Sequence, residues 1–209
     1  SRALAASDLH ETGVLPLAVV RPETVEVLAS CVRAATEHGC AVAPRGGGLS
    51  YTAGYVPVTA RTITFDLSGL SRIVEISADD RTITVEAGVT WKQIYDALRP
   101  HGLRLPFFGT FSGKGATVGG GLSHGALFFG SARYGSAADI VLGLDVVCAD
   151  GSVLRTGQGA LAVESRPVLR SFGPDLTGLF VHDGGTLGVK ARATLRLIGA
   201  PQYEDYASF

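Results

Sequence analysis

The stretch PRGGGLS, residues 44–50, carries the most suggestive chemistry in this chain. Gly46, Gly47 and Gly48 follow an apolar run, CAVAP, with Arg45 on one side and Ser50 on the other. Successive amides in a glycine turn form a concave nest for anions, and the missing side chains let a phosphate come close. The loop therefore reads as a pyrophosphate cradle, with a bare tight turn as the competing reading. Further glycines cluster at 113–121, 130–135 and 184–188, and the total of 28 is roughly twice the usual share. A bare turn needs no partners, so several such segments point to turns converging on one ligand. His124, in GLSHGA, is the histidine set among these glycines. An imidazole there suits a general base or a tuning group, against a plain packing role.

Two familiar phosphate motifs fail the spacing test. A P-loop requires GxxxxGK[ST], but GTFSGKG has the wrong interval and places Gly115 where a hydroxyl is needed. The dinucleotide fingerprint GxGxxG belongs between a first strand and its helix, and GKGATVGG has neither that spacing nor a βαβ unit around it.

The elements that must position these loops follow from periodicity. Pro22 suits a first helical turn, Val25, Leu28, Ala29 and Val32 recur on one face, and Gly39 stops the helix. CAVAP reads as a short buried strand. TITFDL (62–67), SRIVEIS (71–77) and RTITVEAG (81–88) alternate and read as a strand meander. Thr90 caps a helix over WKQIYDALRPHG, ended by Gly102, and a short helix fits VGGGLSHGA. ADIVLGLDVVCADGSVLRTG is a hairpin turning at Asp150-Gly151. PDLTGLFVHDGG reads as a short helix ending at Gly184-Gly185, and VKARATLRLIGAP as a last strand stopped by Pro201. The class is α+β, without a βαβ rhythm.

Bulk composition narrows the function. Hydrophobic residues make up 46% and charged residues 18% of 209, enough for a core in one domain or two small subdomains. A net charge of −1 without a basic stripe argues against nucleic acid or an anionic membrane. No apolar run is long enough for a membrane span, and SRALAASDLHETG lacks a secretory pattern. Cys31, Cys40 and Cys148 are odd in number and widely spaced, which disfavours zinc and disulfides and points to core packing in a reducing cytoplasm.

Taken in order, PRGGGLS, VEAGVTWKQIYDAL, ATVGGGLSHGALFFGSARYG, LGLDVVCADGSVLRTG and DLTGLFVHDGGTLGVKARATLRL resemble the FAD-binding domain of the vanillyl-alcohol oxidase superfamily, also called the p-cresol methylhydroxylase type. The likeness runs from about Val14 to Ile198. It implies two α+β subdomains with FAD between them. Residues 1–13 would be a tail, 14–199 the FAD-binding domain, and 200–209 the way toward a substrate (cap) domain or a partner chain. By the same resemblance Arg45, Gly46, Gly47, Gly48, Leu49 and Ser50, with Pro44 and Gly54 beside them, would hold the pyrophosphate. Gly115, Ala116, Thr117, Gly119, Gly120, Ser123 and Gly125 would line the flavin, and Gly185, Gly188 and Val189 the adenine and ribose side.

The implied activity is hydride transfer to flavin from a C–H bond beside a hydroxyl or amine, with electrons passed to oxygen or a carrier. The likeness is to D-lactate and glycolate enzymes, while LSHGA is also similar to the cytokinin-dehydrogenase branch of alcohol and amine oxidases. An FAD-carrying subunit without its own catalysis is the alternative. His124 is the one candidate for catalysis.

Departures from the family pattern carry expectations of their own. Many relatives attach flavin through a histidine where this chain has Gly48, and some through a cysteine where it has Gly115, so the FAD is expected to be non-covalent. HDGGTLG stands for GSEGTLG, so Gly184 replaces a carboxylate whose contact is lost or passes to Asp183. LPFFGT stands for LPPDPG, and Phe107 and Phe108 would either shape an apolar channel or join the core. Arg133 and Tyr134 in ARYG match the family and are expected to be structural, as is a pairing of Asp145 with an arginine.

Overall fold

Alternation of apolar and polar residues decides which strands form, and their partners assemble two larger sheets and a two-stranded one. The computed structural model describes residues 1–110, 113–161, 167–171, 173–203 and 205. A short helix, α1 (Arg2–Ala5), precedes β1 (Ala18–Val20), α2 (Val25–Glu37), β2 (Ala41–Arg45) and β3 (Thr62–Asp66). These three strands form a parallel sheet in the order β1-β3-β2, and Ile63 of the central strand lies beside both Ala18 and Val42.

Thr24 caps α2, its side chain accepting from the Val27 amide at 3.2 Å. Pro22 therefore precedes the cap instead of occupying the first turn. Gly39, with φ +65°, ends the helix as its position suggested. Val25, Leu28, Val32 and Ala35 pack with Phe65, Leu67 and Leu70 into one core cluster, which Cys31 and Cys40 adjoin. β2 is an edge strand and only half-buried, so the reading of CAVAP as a buried strand is corrected.

The second sheet is antiparallel, in the order β4 (Ile73–Ser77), β5 (Thr82–Glu86), β9 (Val189–Arg196), β7 (Val141–Val147), β8 (Val153–Arg155). The three segments read as a meander are therefore split between sheets. β3 runs parallel to β2 at the centre of the first, and only β4 and β5 form a hairpin. Period-2 alternation reports which face is buried and says nothing about which strand is the neighbour. The hairpin at Asp150-Gly151 joins β7 to β8 as expected.

Thr90 and Gln93 close a capping box at the start of α3 (Trp91–Leu98), and Trp91, Ile94 and Leu98 are buried. A two-stranded piece pairs β6 (Leu103–Arg104) with β10 (Ile198–Gly199). The VGGGLSHGA segment forms α4 (Val118–Ser123), and Ser131–Tyr134 forms α5. Where PDLTGLFVHDGG suggested a short helix, a single 3-10 turn covers Thr177–Phe180.

Residues 1–13 pack onto the body. The Asp8 carboxylate accepts the Ala53 amide at 2.8 Å, Leu9 donates to the Ser50 carbonyl at 3.0 Å, and Ala5 and Ala6 are buried. This segment braces the back of the glycine loop.

Candidate functional site

Three of the four glycine clusters meet at one cavity of about 390 Å³. The fourth, 130–135, does not line it, and Gly130 and Gly135 pack instead against Pro106 and Asp139. The loop after β2 forms one wall, α4 and the residues before it a second, and the turn leading into β9 the third. Pro44, Gly46, Gly47, Gly48, Leu49, Ser50 and Gly54 line the first wall. Ala116, Thr117, Gly119, Gly120, Ser123, His124 and Gly125 line the second, and Gly185 and Gly188 the third.

Three residues named from sequence lie off the lining. The Arg45 guanidinium turns behind the loop, 5.3 Å from the centre of the Tyr55 ring. Gly115 sits where the two loops touch. Val189 is buried in the core cluster under the first sheet and lines a second, adjoining cavity.

Packing between loops accounts for part of the glycine requirement. A Cβ on Gly46 would overlap Thr117 Oγ1, one on Gly47 would overlap the Gly115 carbonyl oxygen, and Gly48 has φ +71°. These glycines let two loops come together and leave one concave surface of backbone. No acceptor among the described residues takes the amides of Gly47, Gly48, Leu49 or Ser50. Thr117 Oγ1 is buried without a hydrogen-bond partner among the described residues. Tyr55 Oη has no geometrically sound hydrogen bond there either. Burial raises the Tyr55 pKa, opposed by the Arg45 charge.

His124 stands at the rim, its ring open to solvent on one side. Crowding by the protein lowers its pKa, the Lys190 charge lowers it further, and Asp183 opposes both. The neutral imidazole is thus the favoured form at neutral pH. Asp183 does not reach the cavity in place of the missing carboxylate. It binds Lys190 at 2.6 Å and accepts the Gly185 amide at 2.9 Å inside the wall.

Trp91, Tyr55, Leu127 and Lys190 also line the cavity, and the sequence reading missed all four. Lys190 gave no signal: it falls on the alternating polar positions of VKARATLRL, in step with Arg192, Thr194 and Arg196, and only the structure shows that it is buried. Phe107 is fully buried and meets Trp91 edge-on at 5.1 Å, while Phe108 packs against Tyr95. Neither lines the cavity, so both belong to the core. Arg133 lies 5.2 Å from the Tyr134 ring centre, and Asp145 lies 3.9 Å from Arg155 and 3.8 Å from Arg192, as structural roles require. Among the described residues no cluster of His, Cys, Asp or Glu could hold a metal ion.

Residues 16–157 match the FAD binding domain family. The chain belongs to that family. It is 31% identical over 92% of its length to yeast (Saccharomyces cerevisiae) mitochondrial D-lactate dehydrogenase [cytochrome] 1, and covers 31% of that protein. It is likewise 31% identical over 90% of its length to the Bacillus subtilis glycolate oxidase subunit GlcD, covering 38% of it. A solved alkyldihydroxyacetonephosphate synthase superposes on 88% of the chain with a TM-score of 0.76 at 21% identity, covering 32% of that structure, which shows the shared fold. The chain therefore spans about a third of the length of these relatives.

The residues present fit the cofactor. Four residues with open amides line a cavity whose volume lies in the usual range for small-molecule sites. A second cavity of about 360 Å³ adjoins it and shares Pro44, Gly54, Tyr55, Gly184, Gly185 and Gly188 as common walls. Two adjoining cavities with wall residues in common suit an elongated, two-part ligand such as a dinucleotide.

Proposed function

We propose that this chain is the FAD-holding part of an oxidoreductase that removes a hydride from the hydroxyl-bearing carbon of a small 2-hydroxy acid. The observation that supports it most directly is the convergence of the three glycine-rich segments on one cavity with unclaimed amides. The substrate class rests on the relatives, whose names specify D-lactate and glycolate.

When bound, FAD supplies the hydride acceptor. The amides of Gly47 to Ser50 bind the pyrophosphate through the anion nest. Thr117 and the α4 backbone orient the ring system. His124, held neutral, is able to accept a proton at its rim position. Nothing in the described residues closes the solvent side. A further domain or a partner chain completes the substrate site, and the electron acceptor is oxygen or a carrier. Three cysteines without a disulfide suit a reducing compartment such as the cytoplasm.

The test has two stages. The chain should bind FAD in the micromolar range or tighter, read by quenching of flavin fluorescence. The full-length protein should then bleach its flavin bands anaerobically with D-lactate or glycolate. Tight FAD binding without bleaching by any 2-hydroxy acid would favour a carrier role or a different alcohol or amine substrate.

A further inference from the structure

Lys190 and Asp183 form an ion pair whose side chains are 2% and 1% exposed. Such a pair is maintained only if the remaining protons and lone pairs of both groups find partners, since desolvation otherwise outweighs the attraction. Asp183 meets that condition. Its Oδ1 accepts both Lys190 and the Gly185 amide, and its Oδ2 accepts the Leu187 amide at 3.4 Å. Lys190 does not. An ammonium carries three donors, and Asp183 takes one. No second acceptor among the described residues takes the others. Lys190 sits on β9 as part of the cavity wall. Burial pulls its pKa below the usual lysine value while Asp183 pulls the other way, which is the mark of a charge short of partners.

We propose that Lys190 is a cofactor-positioning residue: its ammonium donates a hydrogen bond to an acceptor oxygen of the dinucleotide seated in this cavity. The proposal rests on the FAD reading above and adds a residue that glycine-loop reasoning does not supply. Asp183 holds the ammonium in one place, and the ligand oxygen, a phosphate or a ring carbonyl, completes its shell. The pair thus fixes where along the cavity the ligand settles, which amide nests alone do loosely.

The variant that separates this from a purely structural ion pair is Asp183→Asn with Lys190→Met. Removing both charges leaves no buried unpaired charge, so the unliganded fold should survive, as thermal unfolding will show. Binding of FAD, ADP and riboflavin is then titrated against wild type by fluorescence and calorimetry. FAD should bind about 10- to 100-fold more weakly to the double variant, the factor carried by a hydrogen bond to a charged group. A parallel loss for ADP places the acceptor on the phosphates, and a parallel loss for riboflavin places it on the ring. Wild-type affinity for all three overturns the proposal.

A second measurement leaves the sequence intact. In ¹⁵N-lysine-labelled wild-type chain, the Lys190 Nζ resonance should shift when FAD is added, and an unmoved resonance at saturation overturns the proposal. If wild type binds none of the three ligands, the FAD reading itself falls, and the two failures are told apart.

Discussion

Gly47 lies against Gly115 so closely that a Cβ on the first would overlap the carbonyl oxygen of the second. The obstacle is backbone, so it has no rotamer to retreat into. Gly47→Ala should separate the two loops and cost about 1–3 kcal/mol, the range for overpacking. For a chain of this size that is a fall of roughly 2–12 °C in the unliganded Tm. Gly120→Ala is the contrast. Its Cβ would stand 3.4 Å from Thr117 Oγ1, inside α4, where alanine is the better helix former by about 1 kcal/mol. That variant should be as stable as wild type or more so, yet bind FAD more weakly, because the new methyl group intrudes on the cavity wall. Equal FAD affinity in Gly120→Ala would remove α4 from the cofactor site.

Arg45 acts from behind the loop. Its guanidinium faces Tyr55, its Nε is buried without a partner, and no carboxylate among the described residues pairs with it. An uncompensated positive charge behind an amide nest strengthens the nest for anions. Arg45→Met should weaken ADP binding about tenfold, flatten its dependence on salt and leave riboflavin binding nearly unchanged. Arg45→Lys should fall between, because an ammonium keeps the charge and loses the planar stack. Unchanged ADP affinity in Arg45→Met would show the arginine to be a prop for Tyr55 alone.

His124 predicts a pH effect whose sign follows from its lowered pKa. Burial and Lys190 make protonation harder in the folded chain than in the unfolded one, where the value is near 6.5. As pH falls through that value the unfolded state takes up the proton first, so folded stability drops. Above it the group contributes no pH dependence. His124→Gln should therefore flatten the Tm-against-pH curve of the unliganded chain between about pH 7 and pH 5. The ring is partly open to solvent, so the change is one of slope and not a collapse. Superimposable curves for the two proteins would contradict the assignment.

The parts legible in the sequence were those fixed by local chemistry. Thr90 with Gln93 announced α3, Gly39 and Gly102 announced helix ends, and Asp150-Gly151 announced a hairpin. The converging glycine segments were legible for the same reason, since each is a local need for bare backbone. Partnership was not legible. β3 pairs in parallel with β1 and β2, and β5 pairs with β9 a hundred residues away, which alternation along one strand does not encode. β1, three residues long, is too short for any periodicity to show. Lys190 and Asp183 were missed as a pair because their contact needs the turn at Gly184-Gly185 to fold β9 back beneath α4. The glycines at 46–48 were read as a ligand cradle or a bare turn, whereas part of their need is close packing against Thr117 and Gly115 within the chain.

Attachment of the cofactor is the remaining question the site answers by its residue types. A covalent link requires a side-chain nucleophile on the cavity wall. The two positions where relatives carry one hold Gly48 and Gly115 here. Gly48 has φ +71°, and a Cβ on it would overlap the Arg45 guanidinium, so the loop is built around the absence of a side chain. None of the three cysteines lines the cavity, and His124 is the one histidine that does. Acid precipitation of the yellow protein should therefore leave a colourless pellet and move all the flavin to the supernatant. The denatured band on a gel should show no fluorescence under ultraviolet light. Flavin retained in the pellet would overturn non-covalent binding, and its loss in His124→Ala would then identify the attachment point.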